Sequence, residues 1–300
     1  MSQDILKSKT RNAFTSSKKV NISLRATLFW LRYGFKIVGC LAPSLAEKMA
    51  LRLFLTPPRH NIPEWQKPYI ANAKILTVKV RDKTIKLYQW GTGPTILLVH
   101  GWGGRGSQLS AFISPLVEAG YSVLALDGPA HGASSGKRSD MFEFASAIVA
   151  ATEVIGTLHA IIAHSFGSAC TLLAMRESKI KVPKLVLIGC PSSAIWITEE
   201  FADKLSISKK IVTGMRKQLE RRYGNKWTWE DLSLLKMIKK ITVPTLLVHD
   251  RNDHEVPYQQ AIELEKANPI CKLFTSEGFG HRRVLRSAEV INRSLSFIKE

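Results

Sequence analysis

The sequence is poor in cysteine and lacks any long uncharged apolar run. Its four cysteines are far apart and show no CxxC spacing, so neither a disulfide framework nor a cysteine-rich zinc site is indicated. We expect all four to be buried free thiols in a reducing compartment. This predicts a cytoplasmic protein, or one held peripherally on the inner face of a membrane. The cysteines are Cys40, Cys170, Cys190 and Cys271.

Acidic side chains are also scarce. The chain has 24 of them and 43 basic ones, which gives a net charge of +19. Residues 1–72 supply +9 of this charge and residues 192–241 supply +5. The chain has no zinc finger, RNP motif or glycine-rich phosphate loop, so we expect no nucleic-acid partner. A basic but otherwise ordinary soluble protein is one interpretation. An anionic membrane surface is the stronger rival, because the basic N-terminal segment is rich in large apolar residues.

The N-terminal segment changes character near residue 23. Residues 1–22 are polar and are expected to be poorly ordered. Residues 23–41 predict an amphipathic helix, because Arg25, Arg32 and Lys36 share one face and large apolar residues cover the rest. Three central charges make this helix unsuitable for crossing a bilayer.

A second helix is predicted directly after the first. Ser44 and Glu47 have capping-box spacing, and the helix should end before Pro57. Two interpretations of this helical pair remain open. It packs on the body of the protein as a lid, or it lies on an anionic membrane with its aromatic side chains buried. In either case we assign residues 1–70 to a basic, amphipathic helical extension.

From residue 73 onward, strands and helices alternate. Two alternating segments, Ile75–Val80 and Thr84–Trp90, predict an exposed hairpin. Short continuous apolar runs then predict strands buried on both faces, separated by helix-length segments. This order predicts an α/β fold, with a mostly parallel sheet, helices on both faces and a site at the carboxyl ends of the strands. The runs are Thr95–Val99, Tyr121–Leu126, His159–Ala163, Lys184–Ile188, Val243–Val248 and Lys272–Thr275.

The alternation pauses between residues 192 and 241. This stretch is helix-like, charged and rich in large side chains, and it is too long for a simple connecting loop. We interpret it as a helical cap inserted over the site. The alternative is a plain crossover helix with a longer loop. With the cap, the core comprises residues 71–191 and 242–300.

One serine lies where a hydroxyl could be presented by a sharp turn. The apolar run that ends at Ala163 is followed by His164, Ser165 and a helix-like segment that starts near Gly167. This is the local design of a nucleophile elbow, in which small flanking residues permit a tight strand-to-helix turn. A serine hydroxyl is a weak nucleophile, so this interpretation requires a base, an acid and an oxyanion hole elsewhere.

Three further motifs follow predicted strands in a suitable order. The first is His100-Gly101-Trp102-Gly103-Gly104, the second is the acidic stretch His249–Pro257, and the third is Gly278-Phe279-Gly280-His281. Together with the elbow they resemble the α/β-hydrolase superfamily, in its serine esterase and lipase-like branch, over about residues 73–300. Ala163 stands where that superfamily usually has glycine, and the same holds for Ala130 in the loop that begins at Asp127.

The resemblance implies a role for each motif. Ser165 would be the nucleophile and His281 the base, since the superfamily places serine, acid and histidine in this order. Asp253 matches the acid, with Asp250 as the alternate and Glu255 as a further rival. The backbone N–H groups of Trp102 and Phe166 would form the oxyanion hole.

By the same resemblance, the chain is expected to hydrolyse a carboxylic ester, with a lipophilic or short-to-medium acyl group, through an acyl-enzyme. It would need no metal and no organic cofactor. We expect His100, His164 and Trp196 to contact the substrate. Thioesterase, acyltransferase and membrane-surface lipid esterase activities remain alternatives, as does a non-catalytic binding protein on the same fold.

Overall fold

A computed structural model of the chain describes residues 26–178, 180–225 and 227–300. The chain divides into two compact units. The core unit comprises Leu53–Ile197 and Trp227–Glu300. The helical unit comprises Thr198–Lys226 and the described part of Met1–Arg52. Residues 1–22, which the sequence predicts to be poorly ordered, lie outside the described residues.

The core unit is built on one eight-stranded sheet. Its spatial order is β1-β2-β4-β3-β5-β6-β7-β8. The β1–β2 and β2–β4 pairs are antiparallel, and all other pairs are parallel. The strands are β1 (Lys74–Val80), β2 (Lys83–Trp90), β3 (Thr95–Val99), β4 (Ser122–Leu126), β5 (Leu158–His164), β6 (Lys184–Ile188), β7 (Thr245–Asp250) and β8 (Cys271–Ser276).

The predicted α/β fold is confirmed, and the strands were predictable for a simple reason. Every residue of β3 and β4 is buried, as helices on both faces of a parallel sheet require. In β1, by contrast, exposed and buried positions alternate towards its end, which is typical of an edge strand with one face in water. The periodicity of each of these segments therefore indicates whether the strand lies inside the sheet or at its edge.

Helices precede the sheet and connect its strands. In the described residues, four 3₁₀ segments accompany them, which are Glu64–Gln66, Gly106–Phe112, Trp229–Leu232 and Val284–Arg286. The helices are α1 (26–41), α2 (Pro43–Phe54), α3 (Lys67–Ala71), α4 (Ile113–Glu118), α5 (Met141–Ile155), α6 (Phe166–Ser178), α7 (Ala194–Leu205), α8 (Lys209–Arg222), α9 (Leu234–Ile238), α10 (Tyr258–Ala267), α11 (Gly280–Arg283) and α12 (Ala288–Lys299).

One predicted helix is split in two. The sequence predicts a single helix over Ser107–Ala119, whereas a 3₁₀ segment ends at Phe112 and α4 begins at Ile113. Pro115 explains the break, because it has no N–H to donate to the carbonyl four residues earlier and is tolerated only in the first turn of a helix.

The helical unit joins segments from distant parts of the sequence. Helices α1 and α2 pack with α8 and the end of α7. At Gly39 a methyl group would lie 2.7 Å from the Ile211 Cδ1, so the Ile211 side chain of α8 packs against the backbone of α1 at this point. The Arg32 guanidinium donates to the Lys204 carbonyl at 3.0 Å. The N-terminal extension therefore folds together with helices from the predicted cap segment.

The start of α2 differs from the capping-box prediction. The helix begins at Pro43, and the Ala42 carbonyl accepts the first helical bond from the Ala46 N–H at 3.1 Å. Proline suits the first helical position because its missing N–H has no partner there in any case. Ser44 therefore lies inside the helix. Glu47 accepts a hydrogen bond from the Gln218 side chain at 2.9 Å instead of capping α2.

The cysteine prediction is correct for three of the four residues. All four are free thiols, and Cys170, Cys190 and Cys271 are buried. Cys40 is exposed near the end of α1. The prediction failed there because apolar neighbours in the sequence do not reveal which side of an amphipathic helix faces water.

None of the helices in the described ranges is both long enough and apolar enough to cross a lipid bilayer.

Ala130 carries a backbone strain that glycine would relieve. It has a φ of 64° and is buried in the loop after β4. The left-handed region costs a non-glycine residue about 1–2 kcal/mol, part of which is offset by the greater flexibility of glycine when unfolded. We expect Ala130→Gly to raise the free energy of unfolding by about 0.5–1 kcal/mol, measured by urea denaturation.

Ala133 provides the matched control, because it lies in the same loop and is absent from the residues with positive φ. Ala133→Gly should be neutral or destabilising. Equal effects of the two substitutions would contradict the strain at Ala130.

Candidate active site

Ser165 lies in a sharp turn between β5 and α6. Its φ is 54°, an unusual value for a residue with a side chain. The turn is held by the Ser165 N–H, which donates to the Ile188 carbonyl at 2.8 Å, and by the Ser165 carbonyl, which accepts from the Ser168 N–H at 2.9 Å. Ser165 is partly exposed, while its neighbours along β5 are buried. This is the geometry of a nucleophile elbow.

The turn needs small residues for steric reasons. A methyl group at Gly167 would lie 2.4 Å from the His100 carbonyl oxygen, so any side chain there collides with backbone. Ala163 is fully buried, and its carbonyl accepts a hydrogen bond from the Ser168 hydroxyl at 2.9 Å. The alanine in place of the usual first glycine therefore fits this fold.

Asp253 and His281 are directly hydrogen-bonded. The His281 Nδ1 lies 2.7 Å from the Asp253 Oδ2, and both side chains are buried. Because a carboxylate only accepts, the imidazole must carry its proton on Nδ1. The Nε2 lone pair is then available to accept a proton, as a general base requires.

The Asp253 carboxylate is held in its charged form. Burial works against ionisation, but hydrogen bonds from His249, His281 and the Val256 N–H outweigh it and keep the pKa of Asp253 well below its usual range. The Glu255 and Val256 N–H groups each donate to its Oδ1 at 2.8 Å. Asp253 therefore remains a fixed negative charge facing His281 over the whole range of ordinary pH.

Asp250, the alternate acid, has a different task. Burial opposes its ionisation, yet the pKa of Asp250 is lowered because four groups donate to its carboxylate. Two of them, the Phe279 and Gly280 N–H groups, belong to the turn just before His281 and lie at 3.1 and 2.9 Å. The others are the Ser276 hydroxyl and the Asn252 N–H. Asp250 thus joins the end of β7 to the turn that carries His281.

Glu255, the further rival for the acid, is engaged elsewhere. Its carboxylate forms a two-pronged ion pair with the Arg282 guanidinium, at 2.8 and 3.2 Å. The Arg282 side chain is 66% exposed and the Glu255 side chain 43%. An exposed pair of this kind contributes little to stability. Both oxygens of the Glu255 carboxylate accept from Arg282 in this pair.

The loop after β3 lies against the elbow. A methyl group at Gly101 would come within 3.0 Å of the Ser165 Cβ, so the two segments are in contact. The Trp102 and Phe166 rings pack edge to face with centroids 5.1 Å apart. Because Phe166 opens α6, its N–H has no acceptor within the helix. The two predicted oxyanion-hole residues are therefore neighbours beside Ser165.

The buried carboxylate of Asp127 anchors the loop after β3. The Asp127 carboxylate accepts from the Gly106 and Ala133 N–H groups, both at 2.7 Å, and from the Tyr88 hydroxyl at 3.1 Å. Burial raises the pKa of Asp127 despite these bonds. Asp127 thus joins the ends of β3 and β4 through the loops that follow them.

His100 is a structural residue in this geometry. It is fully buried, its Nδ1–H donates to the Gly101 carbonyl at 2.7 Å, and its Nε2 accepts from the Gly128 N–H at 2.9 Å. Both ring nitrogens are therefore occupied by backbone. Burial lowers the pKa of His100 to about 4, so the ring is neutral at neutral pH.

His164 ties the elbow to the histidine loop. Its Nε2–H donates to the His281 carbonyl at 2.9 Å, and the two rings lie 4.6 Å apart. Its Nδ1 is buried and has no hydrogen-bond partner among the described residues. Trp196, in the first turn of α7, is half-buried. Substrate contact by His100, His164 and Trp196 stays a prediction, and the first two have structural roles whatever binds.

Sequence reasoning missed one residue beside the Asp253 carboxylate and did not foresee the hydrogen bonds of Asp250. Asp250 was considered only as an alternative acid, whereas its carboxylate accepts from the turn that precedes His281. His249 was given no role, yet its Nε2 lies 3.4 Å from the Asp253 Oδ2 and 2.9 Å from the Val256 carbonyl. Nothing in the sequence distinguishes it from an ordinary strand residue.

The buried His100 should make stability depend on pH. Unfolded, it binds a proton below about pH 6.5, whereas the folded chain resists protonation down to about pH 4. The unfolded state therefore gains protons first, and the free energy of unfolding falls as pH drops through this window. His100 alone contributes a slope of up to about 1.4 kcal/mol per pH unit.

We expect His100→Gln to remove this slope contribution, measured by urea unfolding at several pH values between neutrality and pH 4. His254→Gln is the control, since His254 is exposed, and it should keep the wild-type slope. An unchanged slope in His100→Gln would show that His100 is not buried in the neutral form.

Comparison with known proteins places the chain in a family. The model of the alpha/beta hydrolase family matches residues 96–290. A bifunctional esterase/perhydrolase of Acinetobacter calcoaceticus is 25% identical over 262 residues, which cover 70% of this chain and 94% of the relative.

Two solved structures share the fold at 18% identity. One is described as a putative lipase of Acinetobacter baumannii, with a TM-score of 0.61 over 80% of this chain and 97% of its own. The other is a membrane phospholipase A described as a bacterial virulence factor, with a TM-score of 0.59 over 96% of this chain and 98% of its own. By the match of the family model, this chain belongs to the alpha/beta hydrolase family.

Proposed function

We propose that the chain is a serine hydrolase that cleaves carboxylic esters, with Ser165 as nucleophile, His281 as base and Asp253 as the acid that orients the base. The observation that carries the proposal is the 2.7 Å hydrogen bond from the His281 Nδ1 to a buried, ionised Asp253. In the neutral imidazole it fixes the proton on Nδ1, so that the Nε2 lone pair points away from Asp253.

The first half of the reaction forms an acyl-enzyme. His281 Nε2 takes the proton of the Ser165 hydroxyl as its oxygen attacks the ester carbonyl carbon. The negative charge that develops on the carbonyl oxygen is stabilised by the N–H groups of Trp102 and Phe166, each worth about 2.7–4 kcal/mol in comparable sites. His281 then gives its proton to the departing alcohol as the carbon–oxygen bond breaks.

The second half regenerates the enzyme. Water enters the position left by the alcohol, and His281 takes one of its protons as the oxygen attacks the acyl carbon. Collapse of this intermediate releases the carboxylic acid and returns the proton to Ser165. Asp253 stays charged throughout, which stabilises the imidazolium that appears twice in the cycle.

The surroundings of Ser165 favour an apolar acyl group. The Trp102, Phe166, Phe144 and His131 rings pack against one another beside the elbow, with centroids 5.0–5.7 Å apart. Burial lowers the pKa of His131 to about 3, so this histidine adds no charge. Esterase and lipase names among the relatives point in the same direction. A lipid ester also agrees with the name of the phospholipase that shares the fold.

The four free cysteines support a cytoplasmic location for this activity, because an oxidising compartment favours disulfides.

Replacement of Ser165 tests the nucleophile. We expect the wild type to hydrolyse p-nitrophenyl esters over a range of acyl chain lengths, and Ser165→Ala to lower kcat by roughly 10⁴ to 10⁶. Ser168→Ala is the matched control, since this nearby serine is buried and bonded to backbone, and it should retain most of the activity. Thioester and amide analogues of the best acyl group then define the bond that is cleaved.

A fluorophosphonate probe provides an independent measurement. It should label the wild type and Ser168→Ala but not Ser165→Ala. Hydrolysis that survives in Ser165→Ala would contradict the proposal. The absence of both hydrolysis and labelling in the wild type would favour a non-catalytic binding protein.

Two aspartate variants distinguish the residue that orients the His281 imidazole from the residue that holds the turn before it. Asp253→Asn should lower kcat by roughly 10⁴, because the amide favours the wrong tautomer of His281. Asp250→Asn should lower the free energy of unfolding by about 1–3 kcal/mol, because buried N–H groups lose an acceptor. Its kcat should fall by less than about 100-fold. Steady-state kinetics and urea unfolding measure both, and a reversed order of the two rate losses would assign the acid to Asp250.

A further inference from the structure

Helix α1 presents a continuous apolar face to solvent. Apart from one adjacent pair at its start, its residues are spaced three or four apart, so they run along one side of the helix. Trp30 is 67% exposed, Tyr33 is 53% exposed and Leu41 is 81% exposed. Phe35, on the opposite side, is 2% exposed. We call this face the α1 stripe, and its members are Phe29, Trp30, Tyr33, Ile37 and Leu41.

The stripe is ordered by its own aromatic contacts. The Phe29 ring stacks on Tyr33 with centroids 6.5 Å apart and meets Trp30 edge to face at 5.6 Å. Single exposed apolar residues are common on protein surfaces, but a contiguous apolar face of several turns marks a contact surface. Tryptophan and tyrosine in particular favour the boundary between an apolar phase and water, because each ring has an apolar body and a polar group.

The surroundings of the stripe are basic. Lys36 is exposed beside it on α1, and Lys48 is exposed on α2. The described residues of the helical unit carry eleven basic and five acidic side chains, a net charge of +6. In sequence, residues 1–25 add a further +5 directly before α1. A partner for this face must therefore combine an apolar phase with negative charge.

An anionic lipid surface has both properties. A second copy of the chain would bring two positively charged units together, which is unfavourable. From the stripe and its charge we propose that α1 docks the protein on an anionic bilayer, lying along the surface with the stripe inserted among the lipids. This surface is separate from the proposed ester hydrolysis, and its test does not depend on that activity.

The exposed thiol of Cys40 allows a dye to be attached beside the stripe in the wild-type chain. Cys40 lies three residues after Ile37 and seven after Tyr33, on the side of the stripe, and the other three cysteines are buried. A polarity-sensitive maleimide dye attached to Cys40 should shift its emission to shorter wavelength with vesicles of phosphatidylcholine and phosphatidylglycerol. Pure phosphatidylcholine vesicles should produce little shift.

Variants identify the contacting side chains. We expect Trp30→Ser with Tyr33→Ser to weaken cosedimentation with anionic vesicles at least about tenfold. Lys36→Gln and Lys48→Gln should each weaken it about fivefold, and added salt should weaken the wild type. The matched control is Ile75→Ser with Val154→Ser, which removes two residues of the core unit that are 55% and 52% exposed. It should bind as the wild type does.

Circular dichroism melting shows whether each variant is folded. If the aromatic variant does not fold, the dye on wild-type Cys40 still tests the proposal. An unshifted dye with anionic vesicles would overturn it. So would equal binding of the aromatic variant and its control, or binding that ignores lipid charge. A wild-type dimer in light scattering that becomes a monomer in the aromatic variant, without vesicle binding, would assign the stripe to a second copy instead.

Discussion

A carboxylate removed from water must be surrounded by hydrogen-bond donors, and this requirement fixes the loops of the candidate site. Asp127 draws in the loop after β3 through the Gly106 N–H. Asp250 draws in the turn before His281 through the Phe279 and Gly280 N–H groups. Neither carboxylate takes part in the proposed chemistry. Both convert loops that would otherwise be mobile into rigid supports for the residues that do.

The three acids at the end of β7 show how one short segment separates three tasks. Asp250 holds a loop, Asp253 holds an imidazole, and Glu255 pairs with Arg282 at the surface. Their chemistry is the same, and only the donors around each differ. Charge alone therefore says little about the role of a carboxylate, whereas its hydrogen-bond partners define it.

The strands and the order of the site motifs were predictable because they depend on local patterns. Continuous apolar runs identify buried strands, and the chain order of serine, acid and histidine follows from the resemblance. The resemblance favours Asp253 over Asp250 as the acid, but the hydrogen-bond partners of the two carboxylates, three residues apart, could be known only from the structure. The capping box at Ser44 failed because Pro43 begins the helix first. The exposure of Cys40 depends on which face of α1 is covered, and no local pattern contains that information.

The helical unit draws its parts from residues 26–52 and 198–225, which are separated by most of the core unit in sequence. During synthesis, α1 and α2 leave the ribosome long before α8 exists. Their apolar faces can be covered only when α8 packs on them. This contact closes a loop of more than 150 residues, and such contacts form slowly compared with local helices. Until then the aromatic and basic N-terminal helices remain exposed, so a chaperone or a membrane surface can bind them during synthesis. For the same reason, removal of the N-terminal helices takes away the packing partner of α8 as well.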